Sequence, residues 1–239
     1  MKVAVCVSGI PRNGGVDNRH VCWPEENLKL ARELLPYDFF LSTWESVNEG
    51  FDVDYVFPDP EINWHPYIDL RWNGRALFQD IPLKLYKWCQ HHIHQFVGHA
   101  NLMEKISDDY DVIVKYRYDV VPINNVDLEP LIKDCYENGT VFGFNVQKPP
   151  LPTRIERIKK PNCPLDKSVK NNLHYVKGFP WLADHVIIYP RHLFKSERVY
   201  RLIENYEMRP AEWGWYQLLI EQNNHKQPIS FKGGFGYRF

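Results

Sequence analysis

Long apolar runs are missing from this 239-residue chain. No stretch approaches the ~18–20 consecutive apolar residues of a membrane span. The N-terminal run Val3 to Val7 is too short for the apolar core of a signal peptide. Cysteine is sparse. Cys6, Cys22, Cys89, Cys135 and Cys163 are odd in number and widely spaced, and no two form a Cys-x-x-Cys pair. That pattern argues against a disulfide framework and a cysteine-rich zinc site, and predicts reduced thiols in a cytoplasm. An excess of either charge is also missing. Lys and Arg number 29 against 30 Asp and Glu, a net charge of −1. This argues against a globally basic nucleic-acid binder, although a local basic patch is compatible with it.

Several motifs are absent too. There is no Gly-x-Gly-x-x-Gly dinucleotide fingerprint, no His-Glu-x-x-His and no Gly-x-Ser-x-Gly. Gly9 and Gly14 have the spacing of a phosphate loop, but Gly15 stands where that loop needs lysine. His91, His92, His94 and His99 crowd one helical stretch with no spaced second pair of ligands. They read as surface or packing histidines before they read as zinc ligands. No internal repeat and no linker divides the chain, so residues 1–239 read as one unit.

What is present is apolar and aromatic surface. Hydrophobic residues are 44% and aromatics 15%, with 8 Trp, enough to bury a core. Val3 to Val7 reads as a buried strand that ends in the turn-rich Ser8-Gly9-Ile10-Pro11-Arg12. Pro24 with Glu25 and Glu26 opens a helix. Its apolar stripe is Leu28, Ala31, Leu34 and Leu35. Strands are expected at 38–43, 55–57, 111–118, 141–146 and 186–189. Helices are expected at about 83–106, 191–206 and 211–223. The end of the chain, 229–239, reads as a short glycine-rich aromatic tail. Strands alternating with helices place the chain in the α/β class.

The informative segment is Asp111 to Asp119. Apolar Val112, Ile113 and Val114 lead into Lys115-Tyr116-Arg117-Tyr118-Asp119. Ligands of open α/β sheets bind beyond the carboxyl ends of the strands. Charges placed there, directly after buried residues, need partners. Asp119 suits a hard cation such as Mg²⁺ or Mn²⁺, and the planar fork of Arg117 suits a phosphate. An Arg–Asp ion pair at a strand end is the equally weighted alternative.

Four segments carry a resemblance. They are Val3 to Arg12, Tyr37 to Trp44, Asp111 to Asp119, and Ala183 to Tyr189 with Ala211-Glu212-Trp213. Together they resemble the GT-A-type glycosyltransferases that use nucleotide sugars, above all a loose group from bacterial surface-polysaccharide clusters, phages and viruses. The resemblance implies a GT-A-like (Rossmann-like) α/β domain, its mixed central sheet flanked by helices. Residues 1–122 would be the donor-binding half and 123–239 the acceptor half. It implies a cytoplasmic location, that of the host for a phage-encoded chain. It also implies a nucleotide-sugar donor, a UDP-sugar first among them, and a divalent cation.

Ser8, Gly9, Arg12, Thr43, Trp44, Lys115, Arg117 and Asp119 would meet the donor, and Asp119 with His185 would hold the metal. Arg117 occupies the place of the first acid of the metal motif, so a diphosphate supported by Lys115 and Arg117 is an alternative to the cation. Asp184 or Glu212 would be the base that deprotonates the acceptor. Trp181, Trp213, Lys159 and Lys160 would face the acceptor. A non-catalytic nucleotide- or sugar-binding module with a degenerate metal motif is the alternative from another class.

Residues 148–177 hold eight basic side chains against Glu156 and Asp166, leaving +6 on a chain whose net charge is −1. Five prolines make the stretch loop-like. A local basic patch of this kind suits an anionic acceptor. Two acceptors fit: a surface glycan, or hydroxymethylated bases in double-stranded phage DNA. A solvated surface loop is the plain alternative.

Overall fold

Strands without hydrophobic alternation are covered on both faces, and β1 (Val3–Ser8) follows this rule. Val3, Val5 and Val7 point into one core cluster, and Ala4 and Cys6 into the other. The computed structural model describes residues 1–8, 24–43, 55–58, 95–117, 120–122, 126–146, 174–176, 182–205, 207–209 and 211–237. The remaining elements, in chain order, are α1 (Pro24–Leu34), β2 (Asp38–Thr43), β3 (Tyr55–Pro58), α2 (95–105), β4 (Val112–Tyr116) and β5 (Val120–Pro122). They continue with α3 (Glu129–Asn138), β6 (Phe142–Val146), β7 (His174–Val176), β8 (Val186–Pro190), α4 (Ser196–Glu204), α5 (Ala211–Leu219) and β9 (Ile229–Tyr237).

The strands form one sheet in the order β3-β2-β1-β4-β8-β6-β9-β5, with β7 also paired to β9. β1 runs parallel to β2 and β4, β2 to β3, and β6 to β9. β8 lies antiparallel between β4 and β6. The carboxyl ends of β1, β2, β4 and β6 therefore share one edge of the sheet, and β8 enters from that same edge.

Helices cover both faces. Leu28, Ala31 and Leu35 of the first helical stripe lie with Leu131, Ile132 and Cys135 of α3 on one side. Phe96, Val97, Ala100 and Met103 of α2 lie on the other, with Val199 and Leu202 of α4 and Trp215 of α5. Fully burying each such large apolar side chain contributes roughly 1.5–3 kcal/mol. Leu34 is partly buried beside the stripe. Gly139 closes α3 at φ 68°, where its N–H bonds the carbonyl of Cys135, a left-handed cap that glycine adopts without strain.

The structure differs from the sequence-based expectation in six places, two of them the short strands β5 and β7, to which no element was assigned. The tail is a strand: β9 pairs with β6, β5 and β7. α3 fills a stretch to which no element was assigned. The 191–206 helix begins with a 3₁₀ turn at Arg191–Leu193, and its α-helical part starts at Ser196. α5 ends at Leu219, followed by a 3₁₀ turn at Glu221–Asn223. Of the long helix expected from 83, the part before 95 lies outside the described residues.

Among the described residues Cys6 and Cys135 are free and buried. Burial pushes the Cys6 thiol up to about 12 and raises that of Cys135 as well. Neither is a nucleophile at neutral pH.

Candidate functional site at the carboxyl edge of the sheet

β4 alternates like its neighbours, with Val112, Val114 and Tyr116 on one face and Ile113 on the other. The next residue on the Ile113 face is Lys115, and it is fully buried. A buried ammonium needs partners. Its Nζ donates a hydrogen bond to the backbone carbonyl of Asp184 and lies 5.2 Å from the centre of the Trp215 ring, a cation–π contact.

Asp184 stands just before β8, and only 3% of it is exposed. Its carboxylate lies 4.0 Å from a guanidinium nitrogen of Arg117 and accepts a 3.4 Å hydrogen bond from the Gln95 amide at the start of α2. The backbone N–H of His185 bonds the carbonyl of Phe144, and its Nδ1 is 2.7 Å from Oδ1 of Asn145 on β6. The same Nδ1 is 3.4 Å from the Asp184 carboxylate. Strand pairing explains the gathering. Tyr116 faces Val186 across the antiparallel pair, so the residue after β4 and the residues before β8 meet at the edge.

α5 brings the second carboxylate. The N–H of Leu182 donates to the carbonyl of Glu212 at 3.0 Å, tying the segment before β8 to the first turn of α5. Glu212 and Trp213 are half-buried. A carboxylate in a first helical turn is favoured by the helix dipole. Trp215 is fully buried and packs on Phe96 at 5.2 Å and His99 at 5.1 Å between ring centres. It belongs to the core.

His99 belongs to the core too. It is fully buried, and its Nε2 lies 2.6 Å from the Tyr189 hydroxyl. Burial, with the charges of Lys115 and Arg191, holds its pKa well below the ordinary histidine value. The native ring therefore stays neutral while the unfolded chain takes up a proton below about pH 6.5. Stability should fall as pH drops from about 7 to about 5, with a contribution of up to about 1.4 kcal/mol per pH unit from this one group. Urea unfolding across that range should show a shallower pH dependence for His99→Phe. An unchanged slope would count against a neutral buried His99.

The candidate residues divide accordingly. Lys115, Arg117, Asp184 and His185 come together, and Glu212 with Trp213 is linked to them through Leu182. Of Ser8 and Thr43 the backbone is described, and it ends β1 and β2 at the same edge. Gly9, Arg12, Trp44, Asp119, Lys159, Lys160 and Trp181 lie outside the described residues, as do residues 148–173 of the basic stretch. Asn145 and Gln95 were not picked out from the sequence. Asn145 left a signal there, because it is the one polar side chain in the run Val141 to Val146.

Among the described residues a divalent cation finds no complete ligand set. Among the described residues no three His, Cys, Asp or Glu side chains gather into a metal-binding group. His185 turns its Nδ1 to Asn145, and the Asp184 carboxylate faces a guanidinium. No described helix is long and apolar enough to cross a membrane.

A mixed sheet in this order, covered by helices on both faces, is a GT-A-like α/β fold. Among solved structures the chain is similar to 4-diphosphocytidyl-2C-methyl-D-erythritol synthase from Anaerococcus prevotii, at 8% identity and a TM-score of 0.50, over 97% of this chain and 89% of that one. It is also similar to a mannose-1-phosphate geranyltransferase from Thermus thermophilus, at 11% identity and a TM-score of 0.46, over 100% and 76% of the two chains. A third is TarS 1–349 from S. aureus, at 10% identity and a TM-score of 0.48, over 98% and 60%. At these identities the likeness concerns the fold alone, and the first of the three carries it. No family model and no curated protein matches the chain.

Proposed function

We propose that this chain transfers a sugar from a nucleotide-sugar donor to an acceptor hydroxyl, at the sheet edge where β1, β2, β4 and β6 end. The observation that supports this most is the ion pair of Arg117 and Asp184 at that edge, backed by the buried Lys115. Arg117 keeps part of its side chain exposed, 27%, and a guanidinium there can meet the charge that develops on a leaving diphosphate. Asp184, almost wholly buried, holds that guanidinium in place. Glu212, half-buried in a first helical turn, is the better placed of the two carboxylates to reach an acceptor.

In the proposed step the acceptor hydroxyl gives its proton to the Glu212 carboxylate while its oxygen bonds to the anomeric carbon. The bond from that carbon to the diphosphate oxygen breaks, and its electron pair leaves with the nucleoside diphosphate. Ser8, Gly9, Arg12, Thr43, Trp44 and Asp119 are proposed on the donor side. Trp181, Trp213, Lys159 and Lys160 are proposed on the acceptor side. No step is assigned to a cation.

The test is release of nucleoside diphosphate from UDP-, GDP-, CMP- and dTDP-sugars, or of CMP from the CMP-sugar, with and without Mn²⁺. Each is supplied with an oligosaccharide or a hydroxymethylated DNA duplex as acceptor. Turnover that falls steeply with salt on duplex alone identifies DNA. Turnover insensitive to salt on the oligosaccharide identifies a glycan. Donor binding with no turnover on any acceptor moves the reading to a binding module.

A further inference from the structure

We infer that Lys115 is a positioning residue: its buried ammonium fixes the 182–185 segment against α5, and so sets Asp184 and Glu212 relative to each other. The inference rests on the functional reading above for the roles of the two carboxylates, and on geometry alone for the coupling between them.

Lys115 does not present its charge to solvent at the sheet edge. It is fully buried, on the strand face that otherwise carries Ile113, and its cation is spent inside the protein. The Nζ reaches two elements at once. It donates to the Asp184 carbonyl, and it sits over the ring of Trp215. Trp215 follows Glu212 by three residues, about one helical turn further along α5. The N–H of Leu182 reaches the same helix at the Glu212 carbonyl. The carbonyl of Asp184 and the N–H of Leu182 thus bracket a three-residue stretch whose two ends are both tied towards α5. The N–H of His185 ties the following residue to β6 through Phe144.

A methionine at 115, one atom shorter, would bury most of the same stem. It would also leave the Asp184 carbonyl without its charged donor. Hydrogen bonds to charged groups contribute more than neutral ones, and removing one partner strands the other in the interior. The 182–185 segment would keep its backbone bonds to Glu212 and Phe144 and the Arg117–Asp184 pair, but lose the charged donor at the Asp184 carbonyl.

Hydrogen exchange of the full-length protein reads this directly, independent of any activity. In Lys115→Met the amides of Leu182 and His185 should lose about tenfold more protection than those of Val5 and Phe39 in β1 and β2. A residue that merely fills the core would lower all four together through global unfolding. Lys115→Gln, which keeps an N–H donor, should show an intermediate loss, and it carries the test if the methionine variant does not fold. Parallel loss at all four amides, or no loss at Leu182 and His185, overturns the inference. Kinetics supply the second arm: kcat should fall and donor KM rise together, because Asp184 both faces Arg117 and is set relative to Glu212, and Lys115→Gln should recover part of each. If the wild-type protein transfers no sugar, the functional reading fails, and the exchange result still decides the role of Lys115.

Discussion

Glu212→Gln should lower kcat by about 10²–10⁴-fold, the usual worth of a positioned general base. Stability and donor KM should hardly change. The substitution keeps the shape of the side chain and leaves the backbone bond from the Leu182 N–H to the Glu212 carbonyl in place. Steady-state release of nucleoside diphosphate measures it. Asp184→Asn should behave differently. It removes the negative charge that faces Arg117, so donor KM should rise along with any loss of kcat. If Asp184→Asn abolishes kcat at unchanged KM while Glu212→Gln is silent, the two roles are exchanged. If neither changes turnover, no carboxylate of this pair is the base.

Gly143→Val should be the most damaging single change in the sheet. Gly143 lies in β6 between Ile187 of β8 and Ser230 of β9, in the middle of paired strands. A Cβ there would overlap the carbonyl oxygen of Ala183 and the Leu182 side chain. The first of these is backbone and cannot swing aside. Overpacking a core usually costs about 1–3 kcal/mol, and occasionally more. A backbone clash in the segment that carries Asp184 belongs at or above the top of that range. For a chain of this size, about 3 kcal/mol lowers the melting temperature by roughly 6–12 °C. Calorimetry would show it, and a variant that melts with the wild type would contradict the packing described here. Gly214 is a second site of the same kind. A Cβ there would meet the Phe96 ring and the carbonyl of Arg209, so the α2–α5 contact depends on glycine.

Much of the architecture was legible because the central strands are apolar on both faces. Val3 to Val7, Phe39 to Leu41, Val112 to Val114 and Val186 to Ile188 mark β1, β2, β4 and β8 with no help from context. α1 showed its stripe. β9 did not show, because Gly233, Gly234 and Gly236 weaken strand propensity, and the pairing that makes it a strand comes from β6, β5 and β7. α3 carried its signals, Pro130 in its first turn and Gly139 as its cap, but these were not read as a helix.

In the site, Arg117 and Asp184 were legible as charges beside buried strands, and strand register then brought them together. Lys115 was legible as a charge but not by its direction. One step of the β alternation turns its side chain away from the edge and into the layer under α5. His99 looked like its neighbours in a histidine-rich stretch, and only the α2–α5 packing shows that it belongs to the core.

The central claim, that the edge bearing Arg117 and Asp184 holds a nucleotide-sugar diphosphate, is tested most directly by thermal shift. Wild type and Arg117→Ala are compared against UDP-, GDP-, CMP- and dTDP-sugars, each with and without Mn²⁺. A donor at about 100 times its Kd stabilises the native state by about 2.7 kcal/mol, roughly 5–10 °C for a chain of this length. That shift is expected with one nucleotide class in the wild type, and its loss in Arg117→Ala. No shift with any donor, or a shift that Arg117→Ala leaves intact, would contradict the claim.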